Sequence, residues 1–190
     1  MRVETVEPSG DDALMTRVAQ GDQEAFRLLV ERWEAPVYAF LERMMGSREE
    51  ALDLSQEAFL RVYAQARRYR PLGQFRSWLF RIAGNLARSG LRRRRIVRWV
   101  RFEAPLHDRP AHTATPASDL ARAEAQTEVR HALRALPARQ REAVLLRHYA
   151  ELSHREIAAS MGTTVPAVES LLQRAMVTLR QRLADTLSDG

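Results

Sequence analysis

Cysteine is absent from the 190 residues, and so is lysine: the whole basic complement of 30 is arginine. Without cysteine there is no disulfide framework, no thiolate metal site and no thiol nucleophile. The missing lysine reads as a bias of nucleotide composition rather than as chemistry. No apolar run approaches the roughly 20 residues needed to span a bilayer. The opening Met-Arg-Val-Glu-Thr-Val-Glu lacks the apolar core of a signal peptide. A cytoplasmic protein without membrane insertion is therefore expected. His107, Asp108 and His112 lack a fourth ligand and sit in polar, aperiodic sequence, so no metal is expected. No carboxylate–histidine cluster at ligand spacing accompanies the basic surface, and the expectation is a protein that is not an enzyme and needs no cofactor.

What is present is a folded composition with an uneven charge layout. Apolar residues make up 45% of the chain, enough for packed structure rather than disorder. Residues 1–60 carry 13 acids against 6 arginines, whereas residues 61–101 carry 13 arginines and no acid. Residues 102–190 balance at 11 and 11. Among the arginines of 61–101 lie Tyr63, Tyr69, Phe75, Trp78, Phe80 and Trp99. A polyanion backbone needs cations held along one track, and unstacked bases need flat faces to lie against. Taken singly, most of these aromatics read as helix core. The acid-free run as a whole points to nucleic acid, and the acidic start to a different partner.

The chain reads as helix nearly throughout. Asp11 and Asp12 can cap a short helix ending at Gly21, and Asp22 a longer one in which Pro36 should introduce a kink or mark where one face hands over to another. Ser47 and Glu50 have capping-box spacing. The helix they open runs to about Arg68, with Leu52, Phe59, Val62, Tyr63 and Ala66 predicted on its buried side. Asp53, Gln56 and Glu57 form one compact polar patch on it, which alone is an ordinary solvated face. A loop follows at Pro71 and Gly73. The next helix starts near Phe75 and buries Trp78, Leu79, Ile82 and Leu86. Asn85 and Arg88 face outward, and Gly90 is expected to end or weaken the helix before Arg92, Arg93, Arg94 and Arg95.

From Phe102 to Ser118 periodicity collapses around Pro105, Pro110 and Pro116, which is linker composition. Fully extended, residues 102–120 could reach about 60 Å at about 3.1 Å per residue, or roughly 17 base pairs of duplex. Beyond it Leu120, Val129, Leu133 and Leu136 mark one helix, and Pro137 starts another carrying Val144, Leu145 and Tyr149. Ser153 and Glu156 form a second capping box, and Gly162 sits where a helix end needs a left-handed residue. Thr164 caps a last helix with Pro166 in its first turn and Val168, Leu172, Ala175, Leu179 and Leu183 as a stripe. Helix, tight glycine turn and helix make a helix-turn-helix. Its outward face holds Pro166, Ser170, Gln173 and Val177, flanked by Ala167, Glu169 and Arg174. The fold expected is all-α: two small helical domains, 11–101 and 119–186, joined by a flexible linker at 102–118.

Four motifs in this order resemble one family. They are Asp53-Leu-Ser-Gln-Glu-Ala-Phe59, Phe75-Arg-Ser-Trp-Leu-Phe-Arg-Ile-Ala-Gly-Asn85, Leu136-Pro-Ala-Arg-Gln-Arg-Glu142 and Leu152-Ser-His-Arg-Glu-Ile-Ala158. The chain resembles the extracytoplasmic-function (ECF) subfamily of the bacterial sigma-70 family of RNA polymerase sigma factors. The resemblance implies an alternative sigma factor that directs core RNA polymerase to promoters and opens the minus-ten element. By that match Asp53, Gln56, Glu57 and Phe59 dock on the core polymerase. Tyr69, Phe75, Arg76, Asn85, Arg88 and Arg92 to Arg95 meet minus-ten DNA, with a pocket at Asn85 and the 69–75 loop for a flipped base. Arg155, Thr163, Thr164, Pro166, Ala167, Glu169, Ser170, Gln173 and Arg174 meet the minus-thirty-five element. The implied partners are core polymerase and promoter DNA, with an anti-sigma factor as a further one. Two places depart from the family pattern: Ser89 stands where an acid is usual, and Glu169 with Leu171 replaces a frequent Lys and Arg. Read without the resemblance, the residues also fit a stand-alone helix-turn-helix regulator, or a helical adapter that binds only proteins.

Overall fold

A computed structural model describes residues 10–101 and 127–188, the side chains of 97–101 and 185–188 excepted. Every regular element among them is helical. They are α1 (Gly10–Ala19), α2 (Gln23–Met45), α3 (Arg48–Gln65), a 3-10 turn (Ala66–Arg68), α4 (Phe75–Arg101), α5 (127–135), α6 (Ala138–His148), α7 (His154–Met161) and α8 (Val165–Ser188). The expected linker, and Leu120 with it, lie outside the described residues.

The boundaries follow local chemistry. Asp22 accepts the Ala25 N–H at 3.0 Å, and that bond, ahead of Arg17, holds its carboxyl below the usual range. Gly46 ends α2 with φ 72°, and Gly162 ends α7 with φ 60°, conformations a side chain would strain. The Ser153–Glu156 capping box closes in both directions. The Ser47–Glu50 box closes in one only. Ser47 accepts the Glu50 N–H, but the Glu50 carboxylate turns to Arg94 instead. Helix α2 runs unbroken through Pro36, a single span from Gln23 to Met45.

Two predicted features differ. Leu52 and Tyr63 are exposed rather than buried on α3, because the helices packed on it, α2 and α4, cover the face carrying Ala51, Ser55, Ala58, Phe59 and Val62. Helix α4 continues through Gly90 to Arg101. The missing side chain serves packing there: a β-carbon would lie 2.9 Å from the Met45 methyl. In the second block Val129 and Tyr149 are likewise exposed.

Phe40, Phe75, Phe80, Leu29, Leu41 and Leu79 fill the core of α1–α4, and Leu145, Leu146, Leu152 and Ile157 fill that of α5–α8. Each such side chain contributes roughly 1.5–3 kcal/mol by leaving water. The two blocks pack on each other, and their buried residues form one continuous cluster. Helix α4 lies against α7, and α2 against α6.

Candidate nucleic-acid and protein interfaces

The acidic patch on α3 borders an apolar groove. Phe26, Val30, Ala35 and Tyr38 of α2 face Leu52, Phe59 and Leu60 of α3 across it, with Glu34, Ser55 and Gln56 as polar lining. Asp53 and Gln56 are exposed beside it, and Glu57 is held by Arg61 at 2.8 Å. Phe59 is buried in the groove floor rather than offered to solvent. The rim is acidic and the floor apolar, which suits a basic amphipathic helix. Leu52 and Leu60 are its exposed apolar lips, and a reading of α3 by helical period alone turns Leu52 inward.

The 69–75 loop is built more firmly than its composition suggests. The Tyr69 hydroxyl donates to Asp12 Oδ1 at 2.5 Å, and the Gly73 N–H donates to Asp12 Oδ2 at 2.5 Å. Burial, then the bond to Asp12, pushes the Tyr69 phenol well up from its usual range. Its ring lies 4.8 Å from that of Trp78 and 6.0 Å from that of Phe75. Phe75 is buried among Trp33, Tyr69 and Trp78. Sequence reasoning puts Phe75 at the nucleic-acid surface, but its ring supports the loop from beneath. Arg70, Pro71, Leu72 and Gln74 are exposed.

Along α4 the candidate cations divide. Asn85 is exposed and accepts from Arg88 at 2.5 Å. Arg88 also pairs with Glu142 of α6, and Arg76 donates to the Ala150 carbonyl. Glu142 is fully buried. Burial raises its carboxyl above the usual range, against the opposing pull of Arg88 and Arg139. Gly84 admits this carboxylate to the helix backbone: a β-carbon there would collide with Glu142 Oε1. Arg94 bonds Glu50 at 2.7 Å and the Met45 carbonyl at 2.9 Å, while Arg92, Arg93 and Arg95 are exposed.

Three arginines thus converge on the C-terminus of α2. Arg94 of α4, Arg134 of α5 and Arg141 of α6 donate to the carbonyls of Met45, Gly46 and Met44, the last two at 2.7 Å. The end of a helix carries carbonyls without intrahelical partners and the negative pole of the dipole, so guanidinium groups belong there. Arg43 adds a contact across the same junction, 4.1 Å from the Tyr149 ring centre. None of these roles shows in composition or period.

The last helix presents its outward face as expected. Pro166, Glu169, Ser170, Gln173, Arg174 and Val177 are exposed, while Val168 and Ala175 are buried. Thr164 is exposed at its entering end, Arg155 is exposed in the first turn of α7, and Thr163 and Ala167 are half-buried. Glu169 lies 3.6 Å from His154 Nδ1, and Arg174 donates to the Ser170 carbonyl at 3.1 Å. Hydroxyl, amide, carboxylate and guanidinium therefore stand on one exposed strip, a set able to address base edges and phosphates.

Residues 29–96 match the family of sigma-70 region 2, and residues 126–179 match that of sigma-70 region 4. The ECF RNA polymerase sigma factor SigE of Mycolicibacterium smegmatis is 34% identical over 189 residues, covering 97% of this chain and 73% of SigE. The ECF RNA polymerase sigma-E factor of Haemophilus influenzae is 32% identical over 180 residues, covering 91% of this chain and 95% of the relative. The structure of CnrH in complex with the cytosolic domain of CnrY superposes with a TM-score of 0.71 at 26% identity, over 93% of this chain and 99% of CnrH. The sigma factor RpoE of Bartonella quintana, solved with the anti-sigma factor NepR, shares the fold with a TM-score of 0.68 at 23% identity, over 84% of this chain and 96% of that one.

Proposed function

The chain belongs to the sigma-70 family of RNA polymerase sigma factors, in its ECF subfamily, and on that premise we propose how its surfaces divide the work. It is an alternative sigma factor: it binds core RNA polymerase and directs it to promoter DNA.

In our reading, Asp53, Gln56 and Glu57, with the groove floored by Phe59, take the polymerase. Asn85 and the 69–74 loop accept a flipped base of the minus-ten element, while Arg76, Arg88, Arg92, Arg93 and Arg95 follow the strand. The helix-turn-helix reads the minus-thirty-five element through Glu169, Ser170, Gln173 and Arg174, with Arg155, Thr163 and Thr164 at its entering end. Melting is driven by binding, with each stacked base contributing roughly 1–3 kcal/mol. The domains are taken as 11–101 and 119–186. The observation that carries this reading is the separation of an acidic, apolar-lipped groove on α2 and α3 from an arginine-bearing face on α4.

Arg76 and Arg88 are engaged by the second block, so their use on DNA requires the Ala150 carbonyl and Glu142 to give way. CnrH was solved with the cytosolic domain of another protein, CnrY. We extend to this chain a protein partner of that kind, an anti-sigma factor in the family's terms.

The test is charge reversal at the groove. Asp53→Arg with Glu57→Arg should weaken binding to core polymerase while thermal stability stays within about 0.5 kcal/mol, as for exposed polar changes. A large loss of stability with core binding intact would make the patch structural.

A further inference from the structure

We propose that Asp12 is a positioning residue for base recognition: its buried carboxylate clasps both ends of the 69–73 loop and so fixes the tip that meets the flipped base. The inference rests on the minus-ten reading above and extends it to a residue outside every motif that carries the family resemblance. Asp12 is 0% exposed, so it cannot touch DNA itself. One carboxylate oxygen accepts the Tyr69 hydroxyl and the other the Gly73 N–H, each at 2.5 Å. No arginine pairs with it among the described residues. A carboxylate buried without a cation is costly, and an apolar side chain would fill the same space more cheaply. What the carboxylate adds is geometry: two acceptors at fixed spacing close a loop across five residues.

The clasp also changes what the loop offers. The Tyr69 hydroxyl is committed to Asp12 and its ring to Trp78, which leaves the tip to act. Gly73 holds φ 71°, and the Leu72 N–H donates to the Arg70 carbonyl at 3.0 Å, so the turn is tight. Leu72, 66% exposed, stands out between Arg70 and Gln74 with no core to enter. An apolar side chain beside a guanidinium and an amide suits the face and edge of an unstacked base. Helix α1 thereby takes part in recognition through the loop it holds.

The test uses the full chain bound to core polymerase. Affinity is measured on forked promoter probes carrying each of the four bases at the flipped position. Asp12→Asn should cut discrimination among the bases by about tenfold, the scale of a typical single-residue effect. Core binding and upstream duplex binding should stay at wild-type levels. Tyr69→Phe should lower discrimination too, yet add nothing in the Asp12→Asn background, because both changes open one clasp. Additive losses would mean that Tyr69 acts on DNA directly and would overturn the proposal. So would a lowered melting temperature with unchanged discrimination. If wild type shows no base preference, the minus-ten reading falls and this inference with it; if wild type discriminates and the variants do too, only the clasp is wrong.

Discussion

Arg94 and its neighbours in the four-arginine run look alike in sequence and do different things. Arg94 satisfies Glu50 and the Met45 carbonyl, while Arg92, Arg93 and Arg95 stay exposed. Arg94→Ala should therefore lower the urea midpoint, since hydrogen bonds to charged groups contribute about 1.5–3 kcal/mol. Alanine at Arg92, Arg93 or Arg95 should leave stability alone. Each should instead flatten the salt dependence of promoter binding, by about 0.7 for every phosphate of the opened strand no longer neutralised, or about 0.9 where the phosphate lies in duplex. Equal effects of all four on stability would contradict the division. The run is legible as basic; which guanidinium meets a helix end is a matter of tertiary placement that charge counting cannot see. Glu142 makes a second case. Its carboxyl titrates above the ordinary 4.5 because burial disfavours the charge. The folded state then holds more protons than the unfolded one between 4.5 and the raised value, so this group's contribution to stability falls as pH rises through that window. Urea midpoints taken from pH 4.5 upward should decline more steeply in wild type than in Glu142→Gln. Identical slopes would contradict the assignment.

At the scale of elements, the helix-turn-helix is the most readable part of the chain. Its signals are local: the Ser153–Glu156 box, the left-handed Gly162, and Pro166 in the first turn of α8. Helix α3 reads less well, because helical period names a face without saying how much of it a neighbour covers. Leu52 and Tyr63 stay outside for that reason, and Leu52 becomes a lip of the groove. Gly90 misleads because helix propensity is a weak prior, and packing against Met45 outweighs it. The exposed strip of α8 carries its own prediction. Gln173→Ala or Ser170→Ala should shift sequence preference at the upstream element by about 1–3 kcal/mol per good base contact, with no change at the minus-ten element. Competition binding of the polymerase-bound protein to a randomised upstream library reads this directly. A uniform loss across all sequences would reduce these residues to phosphate contacts.

For the whole molecule, the order of parts is legible and their packing is not. The motif Leu136–Glu142 is recognisable in sequence, but nothing in it tells that Arg141 reaches the Met44 carbonyl, or that Glu142 meets Arg88 across the block boundary. These are contacts between residues 97 and 54 positions apart, and no local pattern encodes them. The packing has a consequence for mechanism. In the proposed division of surfaces Arg76 and Arg88 also meet the promoter strand, and that use requires the second block to release them. If the α4 face acts on an opened strand while the helix-turn-helix reads duplex, one substitution should separate the two. Permanganate footprinting of core polymerase bound to wild type or Asn85→Ala, on duplex and on pre-melted promoters, tests this most directly. Asn85→Ala should keep upstream binding and lose base discrimination and strand opening on duplex, and a pre-melted template should restore complex formation but not discrimination. Wild-type behaviour of Asn85→Ala on both templates would contradict the account, as would isolated protein binding duplex as tightly as the polymerase-bound form.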